Sequence, residues 1–211
     1  MALAVLQKPL TWICNPSLPP FKNAVAVSVQ TYQTALVTCD TLFLSVTCLA
    51  SLGTHQGSPE NIRLSAHLLN KATAETFIAI LNIFNSDSPG LFGLKGDNVN
   101  LSNYRIKLCG TSTFLRSFAI WQNAKMAKLC KGGFVSRHFI ARIAAPVTGV
   151  LGAVAAAACM ALGMVGAVFA VLSLGRYKLL NEITYQLLAN PGFIINQLTC
   201  GILGFFRPSI V

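Results

Sequence analysis

The residues that enzymes most often use for catalysis are few in this sequence and far apart. The three histidines are His55, His67 and His138, and none has a carboxylate or thiol at the spacing of a catalytic triad or a metal site. Cys130 and His138 could act as nucleophile and base only if the fold brought them together. The six acidic residues include no close pair for general acid–base catalysis. We therefore predict no enzymatic activity, no cofactor and no bound metal.

Basic residues are the chemically distinctive group of the chain. There are 16 Lys and Arg against 6 Asp and Glu. No acidic residue occurs between Asp97 and Glu182, whereas ten basic residues do. A basic region beside an apolar segment is typical of the cytoplasmic face of a membrane, where anionic lipids attract it. The alternative is nucleic-acid binding by a basic stretch with interleaved aromatic residues, but the adjacent apolar segment favours lipid.

We predict that seven of these basic residues contact lipid headgroups. Three form a lysine ridge at steps of three along a helix, and four flank the apolar segment: Lys125, Lys128, Lys131, Arg137, Arg142, Arg176 and Lys178. Phe114, Phe118 and Trp121 precede the ridge at helical spacing, which is typical of a basic amphipathic helix lying in the headgroup layer. The alternative is an ordinary helix with a solvated charged edge.

The apolar segment is the most specific feature of the sequence. From Ile143 to Gly175 the chain runs for 33 residues without a charge, and 18 or more such residues indicate a membrane span. One straight helix of this length would measure about 50 Å, against a hydrocarbon layer of about 30 Å. Because basic residues stand on both flanks, we expect a membrane hairpin with both ends on one side and a turn near residues 162–166. A single span is the alternative.

Small residues recur within this segment at four-residue spacing. Four glycines each stand four residues before an alanine: Gly149, Gly152, Gly163 and Gly166. Such pairs let helix backbones approach closely in lipid. We predict that these glycines lie in a helix contact, within the hairpin or between copies of the chain in a homo-oligomer.

The composition of the whole chain is also typical of an integral membrane protein. Hydrophobic residues make up 54% and charged residues 10%, where soluble domains carry about 25% charged residues. A disordered chain is excluded, since disorder needs high charge and few apolar residues. The 7 cysteines are scattered without a C-x-x-C pair, which favours buried thiols in a reducing compartment. We predict an all-α integral membrane protein.

Two further segments carry seams of apolar and small residues at alternating steps of four and three. The first seam is Val25, Val29, Tyr32, Leu36, Cys39, Phe43, Val46 and Ala50, and the second is Ile62, Ala66, Leu69, Thr73, Thr76, Ile80 and Ile83. Such spacing predicts two packed helices joined by a short loop. We expect the seams to pack against each other rather than against another protein, with a docking site for a host protein or a second copy as the alternative.

The predicted organisation has six segments. They are an N-terminal tail (1–22), an antiparallel helical hairpin (23–85), a Gly/Pro loop (86–100), basic juxtamembrane helices (101–142), the transmembrane segment or hairpin (143–175) and C-terminal interfacial helices (176–211).

This layout resembles that of the inclusion membrane proteins that chlamydiae secrete. The similarity lies in the apolar run 143–175, its basic flanks, the helical seams and the lack of an export signal. The resemblance implies type III secretion, insertion in the membrane of a host-derived vacuole, both termini in the host cytosol and recruitment of host proteins or lipids. The expected function is a membrane-anchored interaction protein. An oligomeric pore or small transporter and a membrane-shaping hairpin protein are the alternatives.

Overall fold

The computed structural model describes residues 20–53, 58–84 and 113–208 of the chain. Within these ranges the protein is helical and has no strand, so the all-α prediction is confirmed. The elements are α1 (Pro20–Ala50), α2 (Ser58–Phe84), α3 (Thr113–Cys130), a π-helix (Ser136–Ile140), α4 (Ala141–Leu172), α5 (Lys178–Leu188) and α6 (Pro191–Phe206). The predicted loop over 86–100 lies outside the described residues, as does the predicted tail except for residues 20–22, which belong to α1.

The first two helices form an antiparallel pair whose contact is polar. The Thr34 and Thr76 hydroxyls are 3.0 Å apart, and nearer the connecting turn the Thr41 and Ser65 hydroxyls are 2.7 Å apart. Gln30 also donates from its side-chain amide to the Ala72 carbonyl at 3.4 Å. These bonds fix the register of the pair, because each joins one residue of α1 to one of α2.

The apolar seam predicted for α1 does not pack inside the protein, and that expectation is wrong. All eight of its residues are exposed, with Phe43 at 67% of its full accessible surface. The opposite face of α1 is polar and buried, as shown by Gln30 at 1% exposure and Thr41 at 0%. In water the apolar face would turn inward, whereas in lipid it gains nothing by doing so. The spacing of the seam was read correctly as helical, but the face that packs is the other one.

Helix α2 is the central helix of the described bundle. No residue from Ile62 to Leu81 is exposed. Its predicted seam begins with three buried residues, Ile62, Ala66 and Leu69. Helix α2 therefore packs against both α1 and the C-terminal helices, and α1 also contacts α6 where Cys48 clusters with Leu203.

The long apolar segment is one continuous helix, so the predicted turn near residues 162–166 is wrong. Helix α4 runs unbroken through Gly163 and Gly166 for 32 residues, about 48 Å at 1.5 Å per residue. Glycine weakens a helix by only about 1 kcal/mol, and each glycine here allows a neighbouring helix to approach. The chain reverses instead after α4, where Leu174 and Gly175 have φ values of 53° and 68°. The Gly175 N–H donates to the Ala170 carbonyl at 2.8 Å and caps the helix.

The C-terminal helices return alongside α4 and do not lie across its end as interfacial helices. Thr184 of α5 packs on Gly166, and Leu187 packs on Gly163. Farther along, Gly201 of α6 packs on Gly149, whose Cα would lie 3.3 Å from a Cβ built at Gly201. The C-terminal segment takes this place because the small residues of α4 offer a groove that its apolar and polar side chains can fill.

The break between α5 and α6 is closed by hydrogen bonds. The Asn190 side chain donates to the carbonyls of Gln186 and Leu187 at 3.1 and 2.9 Å, which satisfies the end of α5. The Gly192 N–H at the start of α6 donates to the Asn70 side-chain oxygen at 2.7 Å. Helix α2 thus supplies the cap that lets the broken helix pack in the interior of the bundle.

Three helical stretches in the described ranges are long and apolar enough to cross a membrane. They are Val27–Ala50, Ser136–Leu172 and Leu179–Phe206. The third comprises α5 and α6 taken together across their break.

Gly192→Ala should destabilise the protein, because the added methyl group would overlap the backbone carbonyl of Ala66. Overpacking of this kind costs about 1–3 kcal/mol, so we expect a clearly lower unfolding temperature in detergent. Gly133→Ala is the matched control, since a Cβ at Gly133 meets no atom within 4 Å. Equal unfolding temperatures for the two variants would contradict the close contact of α2 and α6.

Candidate functional site

Several helix ends meet at one end of the bundle, here called the basic end. The Arg207 guanidinium donates to the Gly53 carbonyl at 3.4 Å, which joins the end of α6 to the turn after α1. The Cys130 thiol, at the end of α3, donates to the Pro208 carbonyl at 3.4 Å. Met126 packs against Ala141 and Ala145 at the start of α4. The ends of α1, α3 and α6 and the start of α4 therefore lie together.

Helix α3 carries the lysine ridge to this end by running antiparallel along α4. Leu115 packs near Ala156, and the Gln122 side chain donates to the Thr148 hydroxyl at 3.1 Å. The helix predicted to lie in the headgroup layer is thus packed along α4 for most of its length. It packs along α4 because its buried face, with Leu115, Ala119, Gln122 and Met126 in contact positions, is a continuous stripe.

The three lysines of the ridge are exposed at the C-terminal end of α3. Lys128 and Lys131 line an open groove of ≈ 530 Å³ together with Ala124, Ala127 and Gly132. Two ammonium groups beside an apolar floor suit a ligand with an anionic group and a short apolar portion, as a lipid headgroup has.

The link between α3 and α4 adds an apolar patch to the basic end. Phe134, Val135, Phe139 and Ile140 are all exposed, Phe134 at 71%. The Phe134 and His138 rings stack with centroids 4.6 Å apart. Exposed aromatic and aliphatic side chains beside lysines are typical of a surface that enters the headgroup boundary of a bilayer. We missed this patch in the sequence, although two phenylalanines beside Arg137 and His138 could have indicated it.

The seven basic residues predicted to contact lipid lie in two groups, one at each end of α4. Five lie at or near the basic end: Lys125, Lys128, Lys131, Arg137 and Arg142. Arg137 is exposed, whereas Arg142 is half-buried and its Nε has no hydrogen-bond partner among the described residues. Arg176 and Lys178 follow the far end of α4, and Arg176 is exposed there. The two flanks of the apolar segment are thus separated by the whole length of α4.

The four glycines predicted for helix packing face α5, α6 and α3. Gly149, Gly152 and Gly163 are buried and Gly166 is half-buried. A Cβ at Gly149 would lie 2.7 Å from the Gln197 carbonyl oxygen, and one at Gly152 would lie 2.9 Å from the Phe118 ring. These contacts are between helices of one chain, so they account for the spacing without a second copy.

The structure gives Cys130 and His138 different neighbours. Cys130 donates to the Pro208 carbonyl, and His138 stacks on Phe134. The described residues contain no group of three or more His, Cys, Asp or Glu side chains that could hold a metal ion.

Comparison of the chain with protein-family models, curated proteins and solved structures finds no match.

Replacing Lys125, Lys128 and Lys131 together with Gln should weaken the binding of anionic lipid to the protein. Each lysine near the surface contributes about 1 kcal/mol to such binding, so the triple variant should lose most of it. The measurement is the rise in unfolding temperature when phosphatidylserine is added to the protein in neutral detergent, at low and high salt.

Arg176→Gln is the comparison variant, since it removes one charge from the other end of α4. It should reduce the free energy of lipid binding by no more than the loss of one lysine does. An unchanged response of the triple variant would show that the ridge is a solvated edge, and a preference for RNA over lipid would favour the nucleic-acid alternative.

Proposed function

We propose that this chain is an integral membrane protein without catalytic activity, which is anchored by its apolar helices and binds anionic lipid headgroups at its basic end. The observation that carries the proposal is the inversion of its helix faces. On α1 and α4 the large apolar side chains point outward, whereas the buried side chains are mostly small or polar. A protein with this arrangement is suited to be surrounded by lipid and not by water.

Helix α4 shows the inversion along its whole length. Its exposed residues include Ile143, Val154, Leu162, Val165 and Leu172. Its buried residues are all alanine or glycine. A soluble protein rarely exposes a contiguous apolar patch of more than a few hundred Å². The band on α4 together with the exposed seam of α1 favours a bilayer around the bundle.

The charges favour one orientation in that bilayer. The basic end holds the lysine ridge, Arg137, Arg142 and Arg207, whereas the far end of α4 has Arg176, Lys178 and Glu182. Because basic residues are retained on the cytoplasmic side, we propose that the basic end is cytoplasmic. Its groove and apolar patch would then form the surface that meets lipids and protein partners.

The resemblance to inclusion membrane proteins extends this proposal to a secreted bacterial protein in the membrane of a host-derived vacuole. Basic residues flank the apolar run and both seam segments are helical, whereas the apolar run itself is one continuous helix and not a hairpin. The start of α1 and the end of α6 also lie at opposite ends of the bundle, which differs from two termini on one side. Imaging of a tagged copy during infection decides the extension, and a signal confined to bacterial membranes would overturn it.

Labelling of single cysteines tests membrane insertion and orientation together. In a chain whose native cysteines are replaced, Gly133→Cys marks the basic end and Tyr177→Cys marks the turn after α4; both positions are exposed. We expect a membrane-impermeant maleimide to reach them from opposite sides of sealed vesicles, because α4 is one continuous span. Reaction of both cysteines from the same side would instead support a membrane hairpin. Extraction of the chain by alkaline carbonate would exclude membrane insertion.

A pore or small transporter is the second candidate, and buried polar groups favour it. Gln30, Gln33, Glu75 and Gln197 are buried, and each has a side-chain oxygen without a hydrogen-bond partner among the described residues. Lys71 Nζ lies 3.6 Å from Glu75 Oε1 within the central helix. Polar and ionisable groups inside a membrane often mark an ion or substrate pathway.

Ion flux through reconstituted vesicles separates the two candidates. If the polar interior serves only to hold the helices together, the protein should give no flux above that of empty vesicles. A flux that Glu75→Gln alters, while a Glu182→Gln control at the far end of α4 leaves it unchanged, would favour the transporter.

A further inference from the structure

Asp40 is a charged residue on the outward apolar face of α1. It is exposed, and Leu36 and Phe43, one turn to either side of it, are exposed as well. Its carboxylate has no ion-pair partner among the described residues. In lipid this is an unfavourable position, since charged side chains within a membrane normally pair or face a protein interior.

The depth of Asp40 prevents its side chain from reaching the headgroups. It lies ten residues before Ala50, the last residue of α1, which is about 15 Å along the helix. The neighbouring Thr41 is bonded to Ser65 of α2, so Asp40 lies at the level of Ser65 in the bundle. Long lysine and arginine side chains can reach toward the interface from such a depth, but aspartate is too short.

Arg116 is the counterpart of Asp40 on another helix. It is exposed on α3, one turn before the exposed side chain of Ile120. The structure gives it no ion-pair partner among the described residues either. The first half of α3 thus presents one exposed charge, of the opposite sign to Asp40, before the lysine ridge begins at Lys125.

Arg116 and Asp40 both lie away from the ends of the bundle. Leu115, the neighbour of Arg116, belongs to a buried cluster with Ala156, which lies halfway along α4. Thr41, the neighbour of Asp40, is bonded to Ser65 in the interior of the α1–α2 pair. Both charges therefore stand in the middle part of the bundle.

The other exposed charged residues in the described ranges lie toward the ends of the bundle. They are Glu60, Lys125, Lys128, Lys131, Arg137, Arg176 and Arg207. Asp40 and Arg116 thus differ from them in being exposed at mid-depth.

We propose that the exposed face of α1 binds the exposed face of α3 in a second copy of this chain, with the Asp40 carboxylate of one copy paired to the Arg116 guanidinium of the other. The inference rests on the proposed insertion in a membrane. The same chain supplies both charges in the middle part of the bundle, and the asymmetry of the basic end gives all copies the same orientation. Apolar side chains around the pair exclude water, so that the charge-assisted hydrogen bonds form in a medium where they are strong.

Crosslinking of full-length protein in vesicles tests the pairing. Cys39 is exposed beside Asp40, and Ser117 is exposed beside Arg116. The Ser117→Cys chain, treated with a short bifunctional maleimide, should give a covalent dimer that the additional change Cys39→Ser abolishes. The reversals Asp40→Arg and Arg116→Asp should each reduce the dimer by at least about tenfold, because like charges then meet. The double reversal should restore it.

Controls separate this inference from the proposed function. Glu60→Arg reverses an exposed acid near the basic end and should leave the dimer unchanged. Every variant is also tested for retention in the membrane after carbonate treatment. Loss of the wild-type chain from the membrane would overturn the proposed function, and with it the basis of this inference. Three outcomes would overturn only the pairing. The wild-type chain could stay in the membrane without forming the dimer, or the single reversals could leave the dimer unchanged. The third outcome is a double-reversal variant that stays in the membrane but forms no dimer.

Discussion

The backbones of α4 and α6 touch where Gly149 faces Gly201, and the other described helices are arranged around this contact. A Cβ at Gly149 would lie 2.9 Å from the Gly201 Cα, closer than real side chains approach. Gly163 repeats the arrangement against the backbone of α5 at Leu187 and Leu188, and Gly166 makes room for the Thr184 side chain. Such an approach brings many backbone atoms into van der Waals contact, which is the main attraction available between helices in lipid. It also leaves the large side chains of α4 no place except the outside.

The polar interior suits the same proposed lipid surroundings. Helix α2 bonds to α1 through Thr41 and Ser65, and it caps the start of α6 through Asn70. In a medium without water, each of these groups must find a partner within the protein. The hydrogen bonds therefore fix the register of helices whose apolar surfaces alone would allow them to slide.

The two proposed roles of charge in this molecule are separated by depth. At the basic end, the lysine ridge and Arg137 are exposed beside apolar side chains of the link before α4, which suits the boundary between headgroups and hydrocarbon. At mid-depth, Asp40 and Arg116 stand on surfaces that lipid would otherwise cover. The first group is suited to lipids, whereas the second is suited to a protein surface with the opposite charge.

The sequence by itself determined the helical class, the existence of the seams and the long apolar segment, because the spacing of apolar residues is a local property of a helix. It also determined which residues are basic and which glycines recur at four-residue spacing. Tertiary structure decided where they lie. The 25–50 seam faces outward, α4 does not turn at Gly163, α3 runs along α4, and Arg137 is a full helix length from Arg176. Periodicity shows that a helix has two faces, but which face is buried depends on the solvent and on the neighbouring helices. A glycine likewise permits either a turn or a close contact, and only the side chains packed against it select between them.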